Sequence, residues 1–337
     1  MFNNQLYNSP YHTVDLSQSS FLITGGAGFI GSNLVEYLLK YKAGHIRVLD
    51  NFSNGYYDNI KDFIQLKNFE FIEGDIRNFD TCKKAVEGID YISHQAALGS
   101  VPRSIADPLT SNDVNISGFL NVLYASKESS TLKRLVYAAS SSTYGDSPIL
   151  PKVEGKEGNP LSPYAVTKLV NELYADVFSK TYGLHSIGLR YFNVFGPKQS
   201  ATNAYAAVIP KFIASALSQT PPVIFGDGET SRDFTFIENV VQANINALLC
   251  YNDINTHEVV NIACGHRTSL NHLWNMIAKH LNCESLIPSY TEERDGDVKH
   301  SLADISKAQK FINYSPLFDV ESGLKITIEH LKTQNYV

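Results

Sequence analysis

The sequence predicts an α/β fold built on a doubly wound parallel sheet, and three observations carry that prediction. Apolar runs of strand type alternate with stretches of helical period along the first half of the chain, the pattern of parallel strands joined by crossover helices. The first run, Phe21-Leu22-Ile23-Thr24, leads directly into Gly25-Gly26-Ala27-Gly28-Phe29-Ile30-Gly31 and then into a helical pattern with Leu34, Leu38 and Leu39 on one face. Finally, Asp50, Asp75, Gln95 and Ser140 fall at or near the carboxyl ends of successive strand-like runs. Parallel α/β sheets bind ligands beyond those ends, so these residues point to one site.

The turn after the first strand spaces Gly25, Gly28 and Gly31 as Gly-x-x-Gly-x-x-Gly. Residues without Cβ let the backbone bend sharply and approach a pyrophosphate, with Phe29 and Ile30 in the same turn. The following helix offers free N–H groups and the positive end of its dipole. Ile46-Arg47-Val48-Leu49-Asp50 is the second strand. Asp50 ends it about 20 residues past the glycines, where an acid binds the adenosine ribose hydroxyls. A carboxylate there repels a 2′-phosphate, so the cofactor is expected to be NAD rather than NADP. The polar loop 51–55 is placed to wrap the adenosine, with Asn51, Ser53 and Gly55 as contacts.

Residues 69–76 form the expected third strand. Its Asp75, beside Ile76, either accepts from the adenine amino group or caps the next helix. Residues 91–97 form the fourth, ending in Gln95-Ala96-Ala97, small enough to let a nicotinamide ribose lie close. His94 reads as a packed core histidine. Residues 104–126 are expected as one long helix starting near Pro108, with Asn115 inside it in a structural role. Residues 134–140 are the fifth strand, ending at Ser140 before Ser141-Ser142-Thr143-Tyr144-Gly145.

Ser162 and Pro163 suit the N-cap and first position of a helix, and Gly183 suits its stop. Within it, Tyr164 and Lys168 are four apart and share a face. A free tyrosine titrates near 10. A neighbouring ammonium and the positive nicotinamide are expected to lower that value, making Tyr164 a general base for a hydroxyl under oxidation.

The chain has 337 residues, enough for one large or two medium domains. Its net charge of −6 is mild and spread out, against a dedicated nucleic-acid surface. Cys82, Cys250, Cys264 and Cys283 lack paired metal-ligand spacing and read as reduced thiols, so no metal is expected. Residues 1–20 lack the basic start and apolar centre of a signal peptide. No run approaches the roughly 18 apolar residues of a membrane span. A cytoplasmic protein is expected.

Together these residues resemble the extended short-chain dehydrogenase/reductase superfamily over nearly the whole chain. The resemblance implies a Rossmann-type domain, residues 1–190 with a return near 236–262. A smaller α/β lobe, residues 191–235 and 263–337, then takes the nucleotide sugar. It makes Ser140, Tyr164 and Lys168 the catalytic set and adds Val194 to the cofactor contacts. Arg190-Tyr191-Phe192-Asn193-Val194-Phe195-Gly196-Pro197 resembles the strand that carries a substrate-binding asparagine, here Asn193. Val208 and Lys211 open a helix similar to one lining a uridine pocket, and Val223 and Phe225 lie on a strand similar to one that sandwiches uracil. Arg232 in Ser-Arg-Asp-Phe and Arg294 in Arg-Asp-Gly-Asp, the latter ending at Asp297, match positions that hold a diphosphate; arginine suits it by binding bidentately.

Residues 96–104, which include Ser100, and 139–146, which include Ser141 and Ser142, look like the subgroup of UDP-N-acetylglucosamine 4-epimerases. The implied chemistry is removal of the 4-hydroxyl proton by Tyr164, hydride transfer from C4 to NAD, and return of the hydride to the other face of a 4-keto sugar. NAD then acts as a bound prosthetic group. Dehydratases of the superfamily place Asp-Glu directly after the serine; Ser141 and Ser142 stand there instead and cannot do that work. Epimerases restricted to plain hexoses carry a tyrosine where Ser301 stands, so a smaller residue implies room for an N-acetyl group. Whether the natural sugar is the free hexosamine or its uronic acid stays open. The resemblance also implies a homodimer through the helices near 104–126 and 164–182.

Overall fold

The computed structural model describes residues 5–200, 206–250, 257–293 and 298–333. Seven parallel strands form the central sheet: β1 (Ser20–Thr24), β2 (His45–Asp50), β3 (Phe69–Glu73), β4 (Tyr91–His94), β5 (Arg134–Ser140), β6 (Ser186–Tyr191) and, after four short strands, β11 (His257–Ile262). Their order is β11-β6-β5-β4-β1-β2-β3. The chain runs outward from β1 to β3 and then outward on the other side from β4, so the strand order reverses between β1 and β4, where such sheets bind ligands. This is the predicted doubly wound architecture. The short strands β7 (Val194–Phe195), β8 (Val223–Phe225), β9 (Ser231–Arg232) and β10 (Thr235–Phe236), with β12 (Thr268–Ser269) and β13 (Ser289–Thr291), make three two-stranded pairs outside it.

The helices follow from local signals. α1 (Phe29–Lys40) starts at the glycine turn, and α2 (Phe79–Val86) is capped by Asn78, which accepts from the Thr81 N–H. α6 (Pro163–Tyr182) is bounded as expected: the Ser162 side chain accepts from Ala165 N–H, and Gly183 closes it in the left-handed region. α7 (Val208–Leu217), α8 (Ile237–Leu249), α9 (Leu270–Leu281), α10 (Ser306–Ile312) and α11 (Val320–Thr333) follow.

The expected long helix over 104–126 is not one regular helix. It comprises α3 (Val101–Ala106), α4 (Pro108–Asn112), a π-helical turn (Asp113–Gly118) and α5 (Phe119–Lys127). The break falls at Asp107, which caps α4 just before Pro108. The wide turn accompanies a long-range bond: Asn115 Oδ1 accepts from Leu98 N–H at 2.8 Å and its Nδ2 donates to the Leu98 carbonyl at 3.1 Å. The third and fourth strands also end earlier than expected, at Glu73 and His94, leaving Asp75 and Gln95 in the loops beyond.

One apolar core runs under β1 and β2, around α1 and α8, and out to Ile209, Trp274 and Leu324 of the later helices. A second lies on the other sheet face between α2, α5 and α6. No described helix is long and apolar enough to cross a membrane. Among the described residues no group of three or more His, Cys, Asp or Glu is placed to hold a metal ion.

Candidate active site

A cavity of about 500 Å³ opens at the carboxyl ends of β1 to β4. The glycine turn forms its floor, and the turn has no room for side chains. A Cβ on Gly31 would sit 2.2 Å from the Gly25 carbonyl oxygen, and Gly25 holds φ +68° with Ala96 N 2.7 Å from where its Cβ would be. Gly28 precedes α1, whose first turn carries no acidic residue, so its positive end is left for an anion. Phe29 and Ile30 line the cavity beside them.

Asp50 braces this turn. Its Oδ2 accepts from Ala27 N–H at 2.9 Å and its Oδ1 from Phe52 N–H at 2.8 Å. Burial raises its pKa, opposed by these backbone bonds. Asn51, Ser53, Gly55, Asp75 and Ile76 line the same cavity. Asp75 is paired with Arg77 at 2.7 Å, which holds its carboxyl down at about 2. It accepts from Asn51 Nδ2 at 2.8 Å, and α2 takes its cap from Asn78, so the helix-cap alternative for Asp75 falls away. Gln95 donates to Ser93 Oγ and Asn244 Oδ1 at 2.9 and 3.1 Å, held from α8. A glycine cradle under a bare helix end, with a carboxylate one strand over, fits NAD.

Three further lining residues were not found in the sequence. Arg103 reaches Asn54 Oδ1 at 3.0 Å, and Lys198 and Gln199 approach from the loop after β7. No local motif marks them. Ser100, expected beside the substrate, lines this cavity instead and caps α3.

Ser140 ends β5, and its Oγ accepts from Ser142 N–H at 3.2 Å and Ser142 Oγ–H at 2.9 Å. Tyr164 enters on the first turn of α6, where Ser104 Oγ accepts its backbone N–H at 3.0 Å. Its phenol lies close enough to Ser140 for that side chain to act on its pKa, downward. Lys168, one turn on, lies 5.9 Å from the Tyr164 ring centroid and donates to the Ala138 carbonyl at 2.7 Å. Burial lowers its pKa to about 8, with the Glu172 charge opposing. Among this chain's own groups, burial raises the Tyr164 pKa and the Ser140 side chain opposes it; the expected lowering also invoked the positive nicotinamide. The ammonium is turned to the Ala138 carbonyl. His94 is a core residue, bonded to Thr24 Oγ1 at 2.8 Å and lowered to about 3 by burial.

Two more cavities adjoin. One, of about 300 Å³, is lined by Ser141, Ser142, Asn193, Arg232 and Ser301. The other, of about 680 Å³, is lined by Val208, Lys211, Val223 and Phe225, and again by Asn193 and Arg232. Val194, expected at the cofactor, lines this larger cavity. Arg294 and Asp297 lie outside the described residues. The sequence also missed Asp233. This buried carboxylate accepts N–H bonds from Cys264, Gly265 and Ala303 at 2.9, 3.1 and 3.2 Å, and its own carbonyl takes the Asn193 amide at 3.2 Å. It fastens the segments that carry Asn193, Arg232 and Ser301, and burial raises its pKa to about 6.

The fold and this site define an NAD-dependent enzyme of the extended short-chain dehydrogenase/reductase type. The model of the NAD dependent epimerase/dehydratase family matches residues 21–263, and the chain belongs to that family. Its cofactor is NAD. Similar solved structures include the UDP-N-acetylglucosamine 4-epimerase of Methanobrevibacter ruminantium M1, in complex with UDP-N-acetylmuramic acid. It is 39% identical with a TM-score of 0.87, over 94% of this chain and 99% of that one. The UDP-glucuronic acid 4-epimerase of Bacillus cereus, with UDP-glucuronic acid and NAD, is 32% identical with a TM-score of 0.86, over 93% and 99%. The UDP-glucuronate 4-epimerase of Thermodesulfobacterium geofontis is 35% identical over 93% of this chain and 96% of its own.

Proposed function

We propose that this enzyme interconverts UDP-sugars epimeric at C4 and prefers UDP-N-acetylhexosamines. The observation that carries the reading is the juxtaposition of Ser140 and Tyr164, with Lys168 one turn away and the Ser141-Ser142 turn lining the neighbouring cavity. The glycine turn and Asp50 hold NAD, which supplies a reversible hydride acceptor. Tyr164 takes the proton of the sugar 4-hydroxyl at its phenol oxygen and later returns it. Ser140 stabilises the phenolate by its hydrogen bond, and the Lys168 ammonium does so by charge. Arg232 binds the diphosphate and Asn193 the sugar. The larger cavity takes the uridine between Val208, Lys211, Val223 and Phe225. In this reading residues 1–190 with 236–262 serve the cofactor, and 191–235 with 263–337 serve the nucleotide sugar.

Serine at positions 141 and 142 leaves no acid and base for elimination of water, which favours epimerisation over dehydration. Serine at 301 leaves the volume that a 2-acetamido group sweeps when the sugar turns over. A panel of UDP-sugars tests the substrate. UDP-N-acetylglucosamine and UDP-N-acetylgalactosamine are expected to interconvert faster than UDP-glucose and UDP-galactose. Ser301→Tyr is expected to lower kcat/KM for the N-acetylated pair by roughly 10–200-fold while sparing UDP-galactose. Parent rates on UDP-N-acetylgalactosamine in that variant would remove the support for the N-acetyl preference.

We also propose a homodimer through α4 and α6. Leu109, Val166, Leu173 and Val177 are exposed, and the last three lie 7 and 4 residues apart along α6. Such a stripe is costly to leave in water. Light scattering is expected to give a mass of two chains, and a monomer at micromolar concentration would refute this.

A further inference from the structure

Lys152 lines the 300 Å³ cavity together with Ser141, Ser142, Arg232 and Ser301. Its backbone is fastened to the segment after Ser301: its N–H donates to the Leu302 carbonyl at 2.7 Å, and Asp304 N–H donates to its own carbonyl at 2.9 Å. Lys152 is only 5% exposed. Its ammonium donates to the Ser147 carbonyl, and among the described residues no carboxylate is within ion-pair reach. Burial alone acts on its pKa, downward, with no neighbouring charge opposing.

Two other enclosed cations are paired with carboxylates, whereas Lys168, like Lys152, is held by a backbone carbonyl. Arg190 pairs with Glu172 at 2.6 Å, and Lys198 with Glu36 at 2.8 Å. A buried ammonium without a counter-ion costs several kcal/mol, and an anion in the adjoining cavity removes that cost. Lysine has three donors, and one is used by Ser147. Arg232 and Asn193 line both substrate cavities and so mark their junction, where a diphosphate between sugar and base belongs. Lys152 lines only the smaller one.

We propose that Lys152 recognises a carboxylate on the sugar, so that UDP-N-acetylhexosaminuronic acids are better substrates than the neutral UDP-N-acetylhexosamines. This rests on reading the smaller cavity as the sugar pocket. The test uses the NAD-bound enzyme with UDP-N-acetylglucosamine and UDP-N-acetylglucosaminuronic acid, and UDP as a competitive inhibitor. Lys152→Gln removes the charge and keeps a donor for the Ser147 carbonyl; Lys152→Arg keeps the charge. The wild type is expected to favour the uronic acid in kcat/KM. Lys152→Gln should lower that preference by about 10-fold or more, chiefly through KM, and Lys152→Arg should restore most of it. Inhibition by UDP should not follow the loss. An unchanged ratio overturns the proposal, as does an equal fall for both sugars, which marks a structural role. A matching loss of UDP inhibition also overturns it and assigns Lys152 to the diphosphate. A wild type that epimerises only UDP-glucose and UDP-glucuronate refutes the N-acetyl reading instead, and the same ratio measured on that pair still judges Lys152.

Discussion

The cavity at the glycine turn and the cavity proposed for the sugar are built on opposite principles. The first is made of backbone: a glycine turn, a bare helix end and strand ends contributed in order by β1 to β4. The second is made of side chains from segments far apart in sequence, including Ser141, Lys152, Asn193, Arg232 and Ser301. Backbone geometry tolerates no Cβ where two main chains touch. A side-chain pocket tolerates substitution at a graded cost and so is where specificity is set.

The sharpest break in that contrast is expected at Gly31. Gly31→Ala places a Cβ 2.2 Å from the Gly25 carbonyl oxygen, and both atoms are backbone-fixed. The variant is expected to purify without NAD, read from the nucleotide released on denaturation. A full complement of NAD would show that the turn is more yielding than its contacts imply.

Tyr164→Phe is the next largest. It removes only a hydroxyl beside Ser140, so fold and bound NAD should persist. The turnover number should fall by about 10²-fold or more, as for loss of a general acid–base group. Near wild-type turnover would take Tyr164 out of the mechanism.

Asp233→Asn probes the sugar side and should act more gently. One of the two acceptor oxygens becomes a donor facing backbone N–H groups. A loss of about 2 kcal/mol in stability is expected, with a raised KM for UDP-sugar and NAD retained. The wild-type carboxyl titrates at about 6 when folded and lower when unfolded. It therefore binds its proton more tightly folded, and its contribution to stability falls as pH rises from about 4 to 6. That component should vanish in Asp233→Asn. Denaturation curves across this range that differ only by a constant offset would count against the assignment.

Much of the cofactor site was legible because its signals are local. Glycine spacing fixes a turn, Asp50 follows from strand length, and Ser162-Pro163 fixes the start of α6 and hence the phase of Tyr164 and Lys168. Two features of the site region depend instead on tertiary contacts. The helix running on from Pro108 carries a π-helical turn at 113–118, where Asn115 spends its side chain on Leu98, a partner that periodicity does not reveal. Burial, a tertiary quantity, raises the Tyr164 pKa against the opposing Ser140 side chain.

The sequence by itself determined the strand and helix alternation, the parallel sheet, the glycine turn and the Tyr-x-x-x-Lys pair, since each depends on residues a few positions apart. Only the tertiary structure decided that Asp233 ties Cys264, Gly265 and Ala303 together, that Arg103 enters the cofactor cavity, and that Lys152 is enclosed without a counter-ion. Those facts depend on which distant segments meet, and chain closure over such separations leaves no trace in local pattern.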